Sequence, residues 1–562
     1  MDPQTRAIAR QPALLPRSDQ AQLPGTSTAM AAALGAAFTW VLLLLTTATS
    51  TTALSACELV VSPPGDQQAP AQRRRAVGVL NGVSPQTPDA SIAQLGAHMF
   101  RVPAPSPVVP RLQSLGVPSI QLILGPQILE QQVMKQRGMN ISALRAACQL
   151  PHRTLECPLP GTAADPEYKM WEAALTAKLE DVARLNRTGE IVYDIWNEPN
   201  FVTAPGQGGG GWPFPSKYYT PPPGALPYQG FWEVWNRAVR LIRKQQPDAV
   251  IVGPSIAPGP GSTSNAGIVN ATHAEWMDSM WGPQKAWLLE FLTQAHSNGT
   301  LPDVLSWHDY TGEPLMAVQM RSEVRAWMAE QEGMPMNIPI GFNEIVDIEH
   351  AQSAGYHIAT VAALTSIGVD HAALGCWNEP GPSGAAAAAQ VSTCRDGSMD
   401  GLLDPTSSGG GDGGGFGRRP KFWALEWAAS LPATQLRVAP TVDAAPQCSG
   451  IAGVGGSSSS SDKDETLTLL LGRWSSSRWG TPTAAAPSQP VNITLPPSAV
   501  ARQVTIERVP GCPSLAEACP AVPKPTVKTM AELPSAEIAV TVHLKDGEAI
   551  RLSVSPSRVN SD

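Results

Sequence analysis

Short apolar segments alternate eight times with longer segments of helical periodicity between residues 76 and 431. Repeated strand–helix units are typical of a parallel sheet, and eight of them favour a closed barrel over an open sheet. We therefore predict a (β/α)8 TIM barrel over residues 76–432. The predicted strands are 76–80, 98–102, 119–124, 191–196, 250–253, 304–308, 339–343 and 372–377. The strongest helix candidates are 168–185, 231–246, 285–297, 317–331 and 351–367.

The pattern changes after residue 431, where short strands are separated by Pro, Gly and Asp-Gly turns. Turns of this kind join antiparallel strands. We expect residues 433–562 to form an antiparallel, β-sandwich-like accessory domain that includes a low-complexity linker. Its predicted strands are 467–471, 491–495, 503–508, 538–544 and 549–553.

An apolar run of 15 residues, 31–45, lies near the N-terminus. This length fits the apolar core of a signal peptide better than a membrane span, which needs roughly 20 residues. We interpret residues 1–56 as an N-terminal extension with a signal peptide or an uncleaved signal anchor, and residues 57–75 as a linker. Only the uncleaved anchor would attach the protein to a membrane.

The chain has eight cysteines, which favours an oxidising compartment. Six of them form three pairs that are close in sequence, Cys148 with Cys157, Cys376 with Cys394 and Cys512 with Cys519. Cys57 and Cys448 are left as candidates for a long-range bridge. Glycosylation sequons begin at Asn140, Asn186, Asn270, Asn298 and Asn492. These features predict a secreted glycoprotein, with a membrane-anchored or lysosome-like location as the alternative.

Charged residues make up 15% of the chain, and its net charge is −8. Proteins that bind nucleic acid carry a basic patch, so we exclude nucleic acid as a partner. The sequence has no H-E-x-x-H motif and no phosphate-binding loop. A calcium-like segment begins at Asp396 but has Ser407 at the position where a calcium loop needs a glutamate. We therefore expect no metal and no cofactor.

Two predicted strands that are well separated around the barrel run into glutamates. The fourth runs into Asn197-Glu198 and the seventh into Asn343-Glu344. In TIM barrels the reacting groups lie at the C-terminal ends of the strands. Hydrolysis of a glycosidic bond needs one carboxyl group to protonate the leaving oxygen and another to act on the anomeric carbon. The two glutamates can supply this pair, and a separation of about 5 Å would indicate retention of configuration.

The hexapeptide IWNEPN at 195–200 resembles the acid/base motif of clan A glycoside hydrolases, in which an Asn-Glu pair ends the fourth strand. The segments 287–292 and 301–310 are similar to glycoside hydrolase family 39, which contains β-xylosidases and α-L-iduronidases. Residues 252–254 and 420–425 also fit that family's pattern, so the resemblance spans roughly 76–431. It implies a barrel with an accessory sandwich and an oligosaccharide, polysaccharide or other glycoside as the substrate.

The resemblance also implies roles for individual residues. Glu198 would be the acid/base and Glu344 the nucleophile of a double-displacement mechanism. The resemblance also implies five substrate-binding residues. Asn197 would bind the sugar 2-hydroxyl, and Tyr310 and Arg101 would lie near the nucleophile. His308 would line the sugar subsite, and Trp377 would be a stacking platform. Many clan members have Thr or Ser before the nucleophile, whereas this chain has Asn343, and this departure weakens the assignment on the seventh strand.

Three alternatives compete with this interpretation. Glu379 lies in a second Trp-Asn-Glu-Pro tetrapeptide after the eighth predicted strand, but a position beside the first strand suits a catalytic pair badly. A non-catalytic carbohydrate-binding pseudoenzyme would keep the barrel, although here both glutamates are present. A cell-wall-associated protein would suit the Pro-, Ser- and Gly-rich tracts, although these lie between well-patterned elements. We predict a retaining glycosidase, with β-xylosidase-like activity as the first candidate.

Overall fold

The structure is a computed structural model of the 562-residue chain. Among the residues described, no helix is long and apolar enough to cross a membrane. The described residues are 57–62, 77–80, 83–104, 107–125, 128, 167–185, 188–200, 229–258, 281–345, 353–369, 371–375, 398–399, 401–404, 416–432, 434–436, 438–440, 448–456, 465–474, 488–496, 502–511, 525–533 and 538–556.

Eight parallel strands close into a barrel in sequence order, and the last pairs with the first. Strand β1, Cys57–Val61, precedes them and belongs to the accessory domain. The barrel strands are β2 Gly78–Leu80, β3 Met99–Pro103, β4 Ser119–Leu124, β5 Ile191–Ile195, β6 Val250–Ile256, β7 Val304–Asp309, β8 Ile340–Ile345 and β9 His371–Leu374. The predicted TIM barrel is confirmed, and each predicted strand matches an observed one to within three residues at either end.

Helices follow the barrel strands and cover the outside of the sheet. Helix α3 shows why they form: Trp171, Leu175, Leu179 and Val182 are buried and recur three or four positions apart, which places them on one apolar face. The helices of this part are α1 Asp89–Leu95, α2 Val109–Ser114, α3 Lys169–Ala183, α4 Gln229–Gln245, α5 Gly282–Ser297, α6 Met316–Glu330 and α7 Ala354–Ser366. A two-stranded sheet of β10, Leu403–Asp404, and β11, Gly417–Arg418, precedes helix α8, Pro420–Ser430.

The accessory domain is built from two sheets. Six strands form one sheet in the order β12-β14-β15-β20-β17-β18, and the other has the order β13-β1-β16-β19. Apolar side chains from both sheets, including Ile493 and Leu469, form one buried cluster, so the sheets pack face to face as a sandwich. The strands after α8 are β12 Thr434–Leu436, β13 Val438–Pro440, β14 Cys448–Gly456, β15 Glu465–Arg473, β16 Gln489–Leu495, β17 Arg502–Val509, β18 Thr526–Leu533, β19 Ile538–Leu544 and β20 Ala549–Pro556.

The sequence did not indicate all of these strands. β14 contains four glycines among its nine residues, so it lacks the alternation that identifies a strand. β1 lies in the segment 57–75, which we expected to be a linker. Its Leu59 and Val61 are only 2% exposed, because they pack in the core of the sandwich. The N-terminal part of that segment is therefore a structural element of the accessory domain.

A disulfide joins Cys57 at the start of β1 to Cys448 at the start of β14. The two cysteines are 391 residues apart in the sequence, so the bridge connects the segment before the barrel to the domain after it. β1 also pairs with β13 and β16. The long-range bridge expected for these two cysteines is present. The six cysteines of the three local pairs lie outside the described residues, so those pairings stay predictions.

Helix α7 of the barrel packs against the six-stranded sheet. The Gly355 N–H donates to the Gly547 carbonyl oxygen at 2.9 Å. A Cβ atom at Gly355 would lie 2.6 Å from the Glu548 carbonyl oxygen and would also meet the Arg473 carbonyl. Only glycine therefore permits this close approach of helix and sheet.

Candidate active site

The C-terminal ends of four barrel strands bring polar side chains together. Arg101 lies on β3, Asp194 on β5, His308 on β7 and Glu344 on β8, and Glu198 follows β5 after two intervening residues. Because all the strands are parallel, their C-terminal ends meet at one mouth of the barrel. The group therefore lies where TIM barrels carry their reacting groups.

Glu198 lies on a bent segment directly after β5. Trp196 and Glu198 have φ angles of 73° and 51°, a conformation that costs a non-glycine residue about 1–3 kcal/mol. The Glu198 N–H donates to the Ser255 carbonyl at 2.9 Å. The Asn200 side-chain amide exchanges two hydrogen bonds of 2.8 Å with the backbone of Ala257. These bonds to β6 and the residue after it hold the bent segment, and with it the direction of the Glu198 side chain.

On β8, the neighbours Asn343 and Glu344 both contribute to the site. Successive side chains of a regular strand point to opposite faces. β8 shifts its register against β7, so that Trp307 pairs with Phe342 and His308 pairs with Glu344. Asn343 lies between these two pairs and is not itself paired with a residue of β7, as in a β-bulge. A bulge changes the direction of the side chains around it. Both residues can therefore form hydrogen bonds within the barrel.

Glu198 and Glu344 lie close to each other at the mouth. The Tyr310 hydroxyl is within donating distance of both, 2.9 Å from Glu198 Oε1 and also against Glu344 Oε1. His308 Nδ1 lies 3.1 Å from Glu198 Oε1 and 3.7 Å from Glu344 Oε2. One oxygen of each carboxylate and a nitrogen of His308 are all within 4.8 Å of one another. This spacing is close to the 5–5.5 Å found between the two carboxyl groups of retaining glycosidases.

Arg101 is fully buried and connects three partners. Its Nη1 donates to Glu344 Oε2 at 3.0 Å, and its Nη2 donates to Asn197 Oδ1 at 2.6 Å. Its Nε donates to Asp194 Oδ2 at 2.8 Å. The guanidinium therefore fixes one oxygen of Glu344 and places a positive charge beside it.

The protonation of the site differs from residue to residue. Burial raises the pKa of the Glu198 carboxyl, against the opposing effects of the Tyr310 hydrogen bond and the Arg101 charge. Burial also lowers the pKa of His308 to about 4, so its ring is neutral at neutral pH. Burial and the two glutamates raise the pKa of Tyr310 well above its ordinary value. Its hydroxyl therefore remains a donor across the physiological range.

Glu198, His308 and Glu344 are also the one group, within the described parts of the chain, that could present three ligand atoms to a metal ion. Arg101 and Tyr310 already bind the Glu344 carboxylate. A cation at this position would compete with the guanidinium and the Tyr310 hydroxyl for the Glu344 oxygens. The contacts thus favour a site in which the two carboxyl groups are used directly.

Six of the predicted site residues lie together in this group. Glu198, Glu344, Asn197, Arg101, His308 and Tyr310 are joined by the contacts given above. Trp377 and the alternative glutamate, Glu379, lie outside the described residues. His308 is fully buried, with its ring against the two glutamates.

Three residues of the site were not identified from the sequence. Asp194, Gln121 and Ser255 lie beneath the carboxylate pair and are completely buried. A signal was present, because Asp194 and Gln121 are polar residues in the middle of apolar strands. A buried charge needs partners, so such a residue marks a polar network.

Comparison with known proteins supports the fold through structure rather than sequence. No protein-family model and no curated protein matches the chain. A monomeric β-xylosidase from Caulobacter crescentus matches with a TM-score of 0.52 and 15% identity, over 89% of this chain and 99% of its own. The chain shares the fold of this glycoside hydrolase.

Two further solved structures give the same result. A GH39 enzyme from Xanthomonas axonopodis pv. citri matches with a TM-score of 0.50 and 14% identity, over 91% of this chain and 99% of its own. An α-L-arabinofuranosidase from Thermotoga maritima matches with a TM-score of 0.51 and 11% identity, over 89% and 100%. The likeness extends over nearly the whole of those chains, and it confirms the predicted resemblance at the level of the fold.

Proposed function

We propose that this protein is a retaining glycoside hydrolase with Glu198 as its acid/base and Glu344 as its nucleophile. The observation that carries the proposal is the carboxyl pair, whose nearest oxygens lie within 4.8 Å of each other at the barrel mouth. An inverting mechanism needs room for a water molecule between the second carboxylate and the sugar. The observed distance leaves no such room and therefore favours retention.

The environments of the two glutamates support different roles for them. Burial raises the pKa of Glu198, which favours the protonated form that a general acid needs. Glu344 accepts hydrogen bonds from Arg101 and Tyr310, and a nucleophilic carboxylate acts as an acceptor and not as a donor. The positive charge beside Glu344 therefore suits the nucleophile.

The reaction takes two steps. In the first, a Glu344 oxygen forms a bond to the anomeric carbon as the glycosidic C–O bond breaks, and the Glu198 proton passes to the leaving oxygen. In the second, Glu198 accepts a proton from water, the water oxygen bonds to the anomeric carbon, and the ester bond to Glu344 breaks. The sugar leaves with its original configuration, and both carboxyl groups return to their starting state.

A glycoside of a pentose is the first substrate to test. The structures that the chain resembles are named as a β-xylosidase and an α-L-arabinofuranosidase. The sequence resemblance to family 39 points in the same direction. We propose β-xylosidase-like activity on an oligosaccharide, polysaccharide or other glycoside. A carbohydrate-binding pseudoenzyme is the alternative, and turnover decides between the two.

The proposed location is outside the cell. The Cys57–Cys448 disulfide suits an oxidising compartment. The apolar run at 31–45 and the sequons add the interpretation of a secreted glycoprotein. In this proposal, residues 1–56 act as a signal peptide or anchor, 76–432 as the catalytic barrel and 433–562 as the accessory domain.

Release of 4-nitrophenol from a panel of aryl glycosides tests the proposed function. The panel contains β-xyloside, β-glucoside, β-galactoside, α-arabinoside and α-iduronide. Wild type is compared with Glu198→Gln and Glu344→Gln, and with the exposed Glu330→Gln as a matched control. We expect activity on one member, a loss of several orders of magnitude in both site variants, and no change in the control.

A second assay separates the roles of the two glutamates. An aryl group that leaves without protonation does not need the general acid, so Glu198→Gln should retain its first step on a 2,4-dinitrophenyl glycoside. Glu344→Gln should stay inactive on the same substrate. An equal loss of first-step activity in both variants would contradict the assigned roles. If folded wild type is inactive on every member of the panel, the pseudoenzyme is favoured.

A further inference from the structure

Asp194 is a completely buried carboxylate beneath the active-site group. It lies at the fourth of the five positions of β5. Donors from four other barrel strands converge on it, Arg101 from β3, Gln121 from β4, Ser255 from β6 and Asn343 from β8. It is therefore the point at which five of the eight strands meet through side chains.

All these groups donate and Asp194 accepts. Its Oδ2 receives Arg101 Nε at 2.8 Å, Gln121 Nε2 at 2.9 Å and Asn343 Nδ2 at 3.0 Å. Its Oδ1 receives the Ser255 hydroxyl at 2.5 Å. A carboxyl group that only accepts is bonded as a carboxylate, so Asp194 brings a negative charge to the interior.

That charge shares one cation with the proposed nucleophile. The Arg101 guanidinium lies between Asp194, at 2.8 Å, and Glu344, at 3.0 Å. Without Asp194, the whole positive charge would act on Glu344. A carboxylate that is bound more tightly by a cation is a weaker nucleophile, because its charge is more fully compensated.

The network also accounts for Asn343, the residue that departs from the family pattern. Its Nδ2 lies 3.0 Å from Asp194 Oδ2 and 2.6 Å from Ser255 Oγ. The bulge in β8 gives Asn343 this position and leaves Glu344 free for the mouth. Asp194 is therefore linked to Glu344 along two routes, through Arg101 and through the backbone of β8.

We propose that Asp194 is a positioning residue for the glycosidase reaction. Asp194 holds the Arg101 guanidinium in place, and the positive charge of Arg101 is then divided between Asp194 and Glu344, so that Glu344 remains nucleophilic. This inference rests on the proposed function. It gives Asp194 no contact with the substrate, so its effect passes through Arg101.

The first test is Asp194→Asn, which keeps the shape and removes the charge. Among the described residues, the ionisable groups that interact with Arg101, besides Asp194, are Glu198, His308, Tyr310 and Glu344. Removal of a neighbouring negative charge leaves more of the Arg101 charge to act on Glu198, which lowers the pKa of Glu198. The basic limb of the pH profile of kcat/KM, which reports Glu198, should therefore move to lower pH.

The same variant should change kcat more than KM, because Asp194 does not touch the substrate. We expect kcat to fall by about 10- to 100-fold while KM changes by less than about threefold. Ser306→Ala is the matched control, since Ser306 reaches Asp194 only through Ser255. It should leave the basic limb in place. A loss of activity in Asp194→Asn with an unmoved basic limb would overturn the proposal, because a packing defect alone gives that result.

The second test is a double variant, which removes both members of the buried ion pair and so leaves neither charge unpaired; circular dichroism first confirms that it and its single-variant reference are folded. Arg101→Met is compared with Arg101→Met/Asp194→Asn on a 2,4-dinitrophenyl glycoside. If Asp194 acts through Arg101, the double variant should be within about twofold of Arg101→Met. A further loss of tenfold or more would mean that Asp194 acts by another route, and would overturn the proposal.

A crystal structure of Asp194→Asn tests the geometry without any turnover. The guanidinium should leave its place beside residue 194 and approach Glu344 with two nitrogens. An unmoved Arg101 would overturn the positioning role. A wild type that is inactive on every glycoside would overturn the proposed function instead, so the two failures can be told apart.

Discussion

Replacement of Tyr310 by Phe isolates the hydroxyl group between the two proposed catalytic carboxyl groups. The change removes one oxygen and keeps the ring. The hydroxyl lies 2.9 Å from Glu198 Oε1 and also contacts Glu344 Oε1. It is a neutral donor, because the pKa of Tyr310 is raised well above its ordinary value by burial and by the two glutamates.

The size of the effect follows from the bond that is lost. A hydrogen bond to a charged group contributes about 1.5–3 kcal/mol, and one pKa unit corresponds to about 1.4 kcal/mol. The Tyr310 bond lowers the pKa of Glu198, so its loss should raise that pKa. Since one hydrogen is shared between two acceptors, we expect a rise of about one unit.

The pH profile of kcat/KM measures this shift. Glu198 must be protonated to act as the acid, so activity falls as the pH rises through its pKa. In Tyr310→Phe the basic limb should move to higher pH by about one unit, with a loss of about 10- to 100-fold at the optimum. A lower activity with the basic limb unchanged would refute the assignment of that limb to Glu198.

Two further predictions concern stability. Gly355→Ala should lower the free energy of unfolding by about 2 kcal/mol, because its Cβ would meet the Arg473 carbonyl. Thermal melting measures this loss of stability. Gly189→Ala is the control, because its Cβ would meet nothing within 4 Å, and equal melting temperatures of the two variants would contradict the close contact at Gly355. Cys57→Ser should cost about 2–5 kcal/mol, because the bridge to Cys448 is lost. Urea unfolding measures this cost, and a Cys57→Ser variant as stable as wild type would contradict it.

The sequence contained enough information for the barrel and most of the site. All eight barrel strands were predicted because each is an apolar run followed by a helix or a turn. Glu198 and Glu344 were predicted as the catalytic pair because the reacting groups of barrels lie at strand ends. The observed bulge at Asn343 and the positive φ at Glu198 were not predictable, since they depend on contacts with neighbouring strands.

The contacts among the buried polar residues beneath the site could not be predicted from the apolar periodicity, for a different reason. Asp194, Gln121 and Ser255 lie on three different strands and meet only when the barrel closes. A period of two or 3.6 residues reports which face is apolar and carries no information about partners across strands. Strand β1 was missed in the same way, because its pairing partners β13 and β16 are more than 370 residues away.

Trapping of the covalent intermediate tests the central claim most directly. A fluorine at carbon 2 of the sugar slows both steps, and an activated leaving group keeps the first step faster than the second, so the glycosyl-enzyme accumulates. Digestion and mass spectrometry then locate the labelled residue. The account predicts one sugar per chain, attached to Glu344, and none on Glu344→Gln. A label on a different residue, or full turnover of the fluorinated substrate with inverted product and no adduct, would contradict it.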